Sequence, residues 1–414
     1  MDNLLNKAPP QIMHIDLNSC FAIIEQQANP LYRRKPVAVA AYDSPRGMVI
    51  ASSYEAKAKG IKLGVNVGEA RLIDPSVIVL TPDPLKYRYA HSLFREVLSD
   101  YTNNIQAKSI DEFVLDFQGS PALREGRDLV DVGYEIKHKV KNHVGGYVTV
   151  NVGIGTNRFW AKTAAGLNKP DGLDVISATH AMEIYKKLTL TDLTGINYRY
   201  EARLNAAGIF TPTQFFEASS QKLHKQVFHS VVGRQWFSRL RGWEVDAVIW
   251  DRKSVGHTYA IGRKTADRKE IAQLLMKLCY KVGRRMRKQG LSASGIHLSV
   301  SFQNGTWWGR SQATHSAMYS DSEIYFQAKK LLQEIIIPGL ATNIAVSVYR
   351  LSQVNPEQLS IFGGTRLDTK VLADITDAIN SRYGNYTLVP AIMAGMDDLI
   401  LDRIAFGSVK DYID

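Results

Sequence analysis

The sequence predicts a multidomain α+β protein. Three observations carry that prediction. Strand-like and helix-like segments alternate over about the first 175 residues. Residues 180–246 hold short helical segments and no convincing strand. A second strand–helix module covers roughly residues 257–353. A chain of 414 residues has room for about two to four domains of ordinary size.

Ile12 to Leu17 reads as a short strand that ends in a polar cluster, Asp16-Leu17-Asn18-Ser19. Pro36–Ala41 and Gly47–Ser52 are β-favouring runs, and Ser53–Gly60 is a helix stopped by its glycine. Lys86–Tyr101 is an amphipathic helix, and Ile105–Phe117 holds two strand-like pieces around an acidic pair. Val132–His143 is helical, Tyr147–Ile154 a β-branched strand and Arg158–Leu167 a helix closed by Lys169-Pro170-Asp171-Gly172. Glycines 195 and 208 mark turns in the helical region, and residues 247–256 form an exposed tether. In Ile271–Lys288, Ile271, Leu274, Leu275, Leu278 and Val282 share one helical face, while Lys277, Lys281, Arg284 and Lys288 share another. Ile296, Leu298, Val300 and Phe302 alternate with polar residues as a half-buried strand does. Gly309–Met318 is a strand, Asp321–Ile336 a helix, and Ile344, Val346 and Val348 mark a last strand. The final 60 or so residues read as a separate tail.

Composition narrows the function classes. Two cysteines, Cys20 and Cys279, are too few for a disulfide framework or a four-cysteine zinc site, and they suit a reducing cytosol. No run of 18 apolar residues is present, and Met1–Pro10 lacks the apolar centre of a signal peptide. The net charge is +11. Arg252–Arg310 holds 13 Lys/Arg against 2 Asp/Glu, an excess equal to that of the whole chain. A localised basic surface is the footprint of a phosphate-backbone binder, although charged helix faces are more often simply solvated.

Asp111 and Glu112 lie between Ile110 and Phe113-Val114-Leu115. Carboxylates within an apolar strand are costly unless a cation neutralises them. Oxygen-only ligands suit a hard ion such as Mg²⁺, and two such ions can serve an attacking and a leaving oxygen. The plain alternative is an acidic pair at a strand end or turn. Tyr54 and Lys57 are one helical turn apart, and Lys162 sits on a later helix. Taken singly, each also fits an ordinary surface residue.

Together these segments resemble one family. Ile15-Asp16-Leu17-Asn18-Ser19-Cys20-Phe21-Ala22, with Glu25 following, is similar to the first motif of Y-family DNA polymerases. Ser53-Tyr54-Glu55-Ala56-Lys57 resembles their fingers motif, where arginine is commoner at the last position. Ser109-Ile110-Asp111-Glu112 resembles their SIDE motif. Val152-Gly153-Ile154-Gly155, then Asn157, Ala161-Lys162-Thr163-Ala164-Ala165 and Lys169-Pro170, resembles their last palm motif. Arg252-Lys253-Ser254-Val255-Gly256 resembles the start of their little finger. The five occur in family order over residues 12–353.

The resemblance implies a right-hand polymerase. Its palm would span residues 10–20 and 84–175, its fingers 21–83 and its helical thumb 176–246. A linker would follow at 247–256, then an α+β little finger at 257–353 and a tail at 354–414. It implies two Mg²⁺ ions held by Asp16, Asp111 and Glu112 with the Leu17 carbonyl. Tyr54, Lys57 and Lys162 would meet the triphosphate, and Phe21 would be the gate against a ribose 2′-OH. Arg252, Lys253, Lys281, Arg284, Lys288 and Arg310 are the expected DNA contacts. The implied activity is template-directed, low-fidelity addition of deoxynucleotides past damaged bases, in DNA repair, damage tolerance and the SOS response. The implied partners are primer–template DNA, deoxynucleoside triphosphates and a sliding clamp. The expected enzyme is a cytoplasmic monomer with no membrane association.

Leu193-Thr194-Gly195-Ile196-Asn197 resembles a helix-hairpin-helix turn, with Asn197 in place of the usual second glycine. Gln358-Leu359-Ser360-Ile361-Phe362 resembles a clamp-binding peptide, in which Gln358, Leu359, Ile361 and Phe362 would enter a cleft. Asp377-Ala378-Ile379-Asn380 and Arg382-Tyr383-Gly384 look like the C-terminal extension of the UmuC-type branch. Two other readings compete. Asp111-Glu112-Phe113 fits the end of a diguanylate cyclase motif, but Ser109-Ile110 stands where that motif has Gly-Gly. A relative that had lost catalysis would serve as a DNA-binding subunit, but all three carboxylates are retained.

Overall fold

The computed structural model describes residues 4–248, 252–354, 366–396 and 399–400. They fall in two compact units, one within Met1–Val248 and one within Ile249–Asp402.

The first unit opens with β1 (Ile12–Leu17), followed by a small sheet of β2 (Val37–Ala40), β3 (Val49–Ser52) and β4 (Ile78–Leu80) in the order β3-β2-β4. Then come β5 (Ile105–Ala107), β6 (Glu112–Asp116), β7 (Val150–Gly155) and β8 (Leu173–Ile176). With β1 they form a five-stranded sheet, β5-β6-β1-β7-β8. Strand alternation divides its residues between two faces. Met13, Ile15, Phe113, Leu115, Val150, Val152 and Ile154 join a buried core with the helices Pro84–Ser99 and Leu129–His143.

The opposite face carries Ile12, His14 and Asp16 of β1, and the Arg158–Leu167 helix lies on it. Glycine makes that approach feasible. A Cβ on Gly153 would stand 2.1 Å from the Ala161 carbonyl oxygen, and one on Gly155 would stand 2.6 Å from the Ala161 nitrogen. The helix starts at Asn157, whose Oδ1 accepts from the Trp160 amide at 2.7 Å. Its Nδ2 donates to the Arg239 and Trp243 carbonyls, both at 2.9 Å. The short helices between Ala181 and Arg239 gather around Trp160, Tyr185, Phe215 and Trp236.

In the second unit β9 (Ser254–Thr265), β10 (Leu291–Phe302), β11 (Trp307–Met318) and β12 (Ala341–Gln353) form an antiparallel sheet, β11-β10-β12-β9. The helices Arg268–Arg287 and Asp321–Gln333 share its apolar core. β9 begins inside the segment read as a tether, because so few of its residues are apolar and buried.

The tail also differs from the expectation. Arg366–Tyr383 is a helix that lies on the Arg268–Arg287 helix, and Met393, Met396 and Ile400 enter the same core. Lys277, read as an open basic face, is 1% exposed, and its Nζ donates to the Met396 carbonyl. The buried Arg287 bridges Asp321 at 2.7 Å and Asp377 at 2.6 Å. Residues 366–396 are therefore part of this unit rather than a separate tail.

Candidate active site

Asp16 stands at the end of β1, directly opposite Glu112 on β6 and Asn151 on β7. Paired residues share a face, so three polar side chains form a row across the central strands. Asp111 lies just before β6, and its backbone carbonyl accepts from the Leu17 amide at 2.8 Å. That bond ties the two acidic segments together. Leaving the strand also resolves the problem of adjacent carboxylates, which would otherwise point to opposite faces.

Each carboxylate has a short polar contact. Lys169 Nζ lies 2.7 Å from Asp16 Oδ2, and Lys162 Nζ lies 2.6 Å from Glu112 Oε2. Ser109 Oγ donates to Asp111 Oδ1 at 2.5 Å. Burial raises the Asp16 carboxyl above its ordinary pKa, with Lys169 opposing. Burial pushes the Asp111 carboxyl up to about 6, Ser109 opposes, and the charges of Asp16 and Glu112 add to the rise. Three mutually repelling carboxylates with lysines drawn onto two of them are a site that takes cations. This donor chemistry fits a hard divalent ion.

His14 was missed by sequence reasoning. It is 1% exposed, with both ring nitrogens lacking a hydrogen-bond partner among the described residues and Nε2 3.9 Å from Glu112 Oε2. Burial first, then Lys162, Lys169 and Lys108, hold its pKa well below the usual histidine value. Ligand atoms of His14, Asp16 and Glu112 lie within 4.8 Å of one another, a grouping that leaves out Asp111. The only signal in the sequence was the i, i+2 spacing of His14 and Asp16 on one strand face. Lys169 was quoted in a motif but given no role, because its loop must fold back to reach Asp16.

The turn after β1 sets the residues expected to meet the triphosphate. Ser19 adopts φ 53°, in the left-handed region, and makes no side-chain cap for the Cys20–Ala28 helix. Its hydroxyl instead accepts from Lys57 Nζ at 2.7 Å. Lys57 Nζ also lies 4.6 Å from the centre of the Tyr54 ring, and the Tyr54 hydroxyl reaches Asn18 Oδ1 at 3.4 Å. Burial lowers the Lys57 pKa, aided by Lys169 and opposed by Asp16. Tyr54 and Lys57 are thereby near enough to Asp16 to feel its charge, Lys169 touches it, and Lys162 touches Glu112. Phe21 is 0% exposed and stacked on Tyr87 at 4.4 Å and 15°. The Tyr87 hydroxyl donates to Glu25 Oε1 at 2.8 Å.

The expected DNA contacts divide. Lys253 and Lys288 are exposed, and Lys281 is half-buried. Arg252 donates to Gln289 Oε1 at 2.9 Å, and Arg310 pairs with Glu334. Arg284 is turned to the C-terminal segment, donating to Asn385 Oδ1 at 2.6 Å and to Ser381 Oγ at 3.1 Å. That face of its helix is covered, which corrects the picture of an open basic stripe. The helix-hairpin-helix expectation also changes. Asn197 caps the Tyr198–Ala206 helix and takes the Arg199 and Tyr200 amides itself, at 3.1 and 3.0 Å. The clamp peptide Gln358, Leu359, Ile361 and Phe362 lies outside the described residues.

Known proteins match both the sequence and the fold. The impB/mucB/samB family model matches residues 15–166, and the model of that family's C-terminal domain matches residues 252–361. DNA polymerase IV of Moorella thermoacetica is 32% identical over 389 residues, covering 92% of this chain and 95% of that protein. DNA polymerase IV of Pelotomaculum thermopropionicum is 30% identical over 387 residues, covering 92% of this chain and 94% of that protein. A solved Y-family DNA polymerase chimera shares the fold with a TM-score of 0.72 at 23% identity, over 83% of this chain and 99% of that one. The chain belongs to the Y-family of DNA polymerases, the impB/mucB/samB family. It is therefore a DNA-directed DNA polymerase with the multidomain α+β right-hand fold. These matches do not divide the family into branches.

Proposed function

We propose that this enzyme adds deoxynucleotides to a primer past damaged template bases by two-metal phosphoryl transfer. One observation carries the reading. Asp16 and Glu112 face each other across β1 and β6, beside Asp111, with lysines on Asp16 and Glu112. In this reading Asp16, Asp111 and Glu112, with the Leu17 carbonyl, hold a pair of Mg²⁺ ions. When bound, such ions neutralise the attacking and leaving oxygens. Lys57, Lys162, Lys169 and Tyr54 then meet the triphosphate, replacing the water shell of its phosphates with fixed charges and a hydroxyl. Phosphoryl transfer needs little covalent help from protein, so positioning and charge supply most of the catalysis. Phe21, flat against Tyr87, forms the wall that a ribose 2′-OH would strike.

For DNA we favour the open face of the second unit's sheet. His297, Ser299, Ser311 and Ser347 line it, with Gly256 and Gly309 in register beside them. Small side chains permit close approach of a phosphate backbone, and Arg252 and Lys253 enter β9 at its edge. Cytoplasmic action, use in an SOS response and capture of a sliding clamp by Gln358–Phe362 complete the proposal on sequence alone.

The test is primer extension with purified protein, Mg²⁺ and deoxynucleotides, on an intact template and on one with an abasic site. Extension past the lesion is expected, and Asp16→Ala or Glu112→Ala should abolish it while DNA binding persists. Extension by either variant at the unaltered rate would sink the metal assignment.

A further inference from the structure

The loop 168–172 carries Lys169 to Asp16, and it is held from two sides. On one side is Asn151, 0% exposed and opposite Asp16 in the strand register. Asn151 Nδ2 donates to the Asn168 carbonyl at 3.0 Å, and its Oδ1 accepts from the Gly172 amide at 3.3 Å. One buried amide thus closes the loop at both ends. Gly172 fits because a Cβ there would stand 2.1 Å from the Asn168 carbonyl oxygen and 3.0 Å from Asn151 Nδ2.

On the other side is Asp171, at φ 60°. The Leu129–His143 helix presents two lysines to it. Lys141 Nζ donates to Asp171 Oδ2 at 2.8 Å, and Lys137 Nζ lies 3.2 Å from Oδ1. Lys137 also donates to the Asp171 carbonyl and, at 3.3 Å, to the Gly172 carbonyl. Lys137 is buried, so its ammonium depends on these three oxygens. Two lysines on one carboxylate are more than a surface turn requires. They grip the loop two residues beyond Lys169.

We propose that Asp171, with Lys137, Lys141 and Asn151, is a positioning clamp for Lys169. It holds that ammonium on Asp16 before a nucleotide arrives and within reach of the incoming triphosphate afterwards. The inference rests on reading Asp16 and its neighbours as the polymerase centre.

Asp171→Asn is the informative variant. Asparagine tolerates the left-handed backbone, so the substitution adds no strain at φ 60° while it removes the charge that Lys137 and Lys141 grip. Two readouts apply. The first needs neither metal nor nucleotide: the acetylation rate of Lys169 by an amine-reactive anhydride, followed by peptide mass spectrometry, with Lys269 as internal control. We expect Asp171→Asn to raise the Lys169 rate about fivefold relative to Lys269, the size expected for a lost half-exposed ion pair. The second is single-nucleotide insertion, in which KM for the deoxynucleotide should rise about fivefold with kcat within about twofold. In a Lys169→Gln background, Asp171→Asn should add no further rise, because the clamp acts only through Lys169. An unchanged Lys169 rate, or a KM increase of full size in the Lys169→Gln background, would overturn the clamp. Failure of the unaltered protein to insert any nucleotide would overturn the polymerase reading instead, and the acetylation ratio would still decide the clamp.

Discussion

Phe21 and Asp111 are two residues at which the proposed site and the fold make separate demands on one side chain. Phe21 is fully buried against Tyr87, as a core aromatic would be. Removing its ring should open space at the sugar, so Phe21→Ala should raise the ratio of ribonucleotide to deoxynucleotide incorporation. An unchanged ratio in a single-insertion assay would return Phe21 to the core alone. The ring's loss should also cost about 3–5 kcal/mol of stability, so folding must be checked by circular dichroism first. Asp111 points the other way. It is half-buried beside two like charges, so Asp111→Asn should abolish extension and yet stabilise the first unit by roughly 1 kcal/mol. A denaturant midpoint that falls on this substitution would mean that Ser109 and the backbone, rather than a cation, satisfy the carboxylate.

The Arg268–Arg287 helix is decided by its neighbours more than by its own pattern. Its apolar face was legible from the i, i+3, i+4 spacing of Ile271, Leu274, Leu275 and Leu278. Its basic face was misread as open, because the residues that cover it lie about a hundred positions later in the chain. Arg287, Asp321 and Asp377 form a buried charge network there. Burial pushes the Asp321 carboxyl up to about 6, with Arg287 opposing. A raised carboxyl binds its proton more tightly in the folded state than in the unfolded state. The stability contributed by this group therefore falls as pH climbs from about 4 to about 6 and is level above that. Asp321→Asn should remove that component. The stability of the unaltered protein relative to the variant should drop by on the order of 1–3 kcal/mol over the window, read from urea unfolding at stepped pH. A difference that stays constant with pH would mean that Arg287 holds Asp321 ionised throughout.

For the whole molecule, charge and topology answer different questions. The excess of basic residues in Arg252–Arg310 announced a phosphate-binding surface, but several of these cations turn out to be structural. Arg252 and Lys253 stand just before β9, and the proposal puts a DNA backbone against them. Arg252→Ala with Lys253→Ala should weaken binding to primer–template DNA and flatten the plot of log affinity against log salt by roughly two slope units. An unaltered slope, measured by fluorescence anisotropy across a salt series, would move the DNA off this edge.

What the sequence by itself determined was whatever depends on neighbours in the chain. The Arg158–Leu167 helix, the Ile12–Leu17 strand and the acidic pair at 111–112 were read from periodicity and apolar context, and motif order pointed to the family. Only the tertiary structure decided which distant residues meet. The lysine that reaches Asp16 is Lys169, 153 positions away, and the buried histidine beside Glu112 is His14. It also decided that Lys277 and Arg287 belong to the interior. Local pattern reports which face of an element is apolar. It does not report what covers the polar face, because that depends on burial energy summed over segments the pattern never compares.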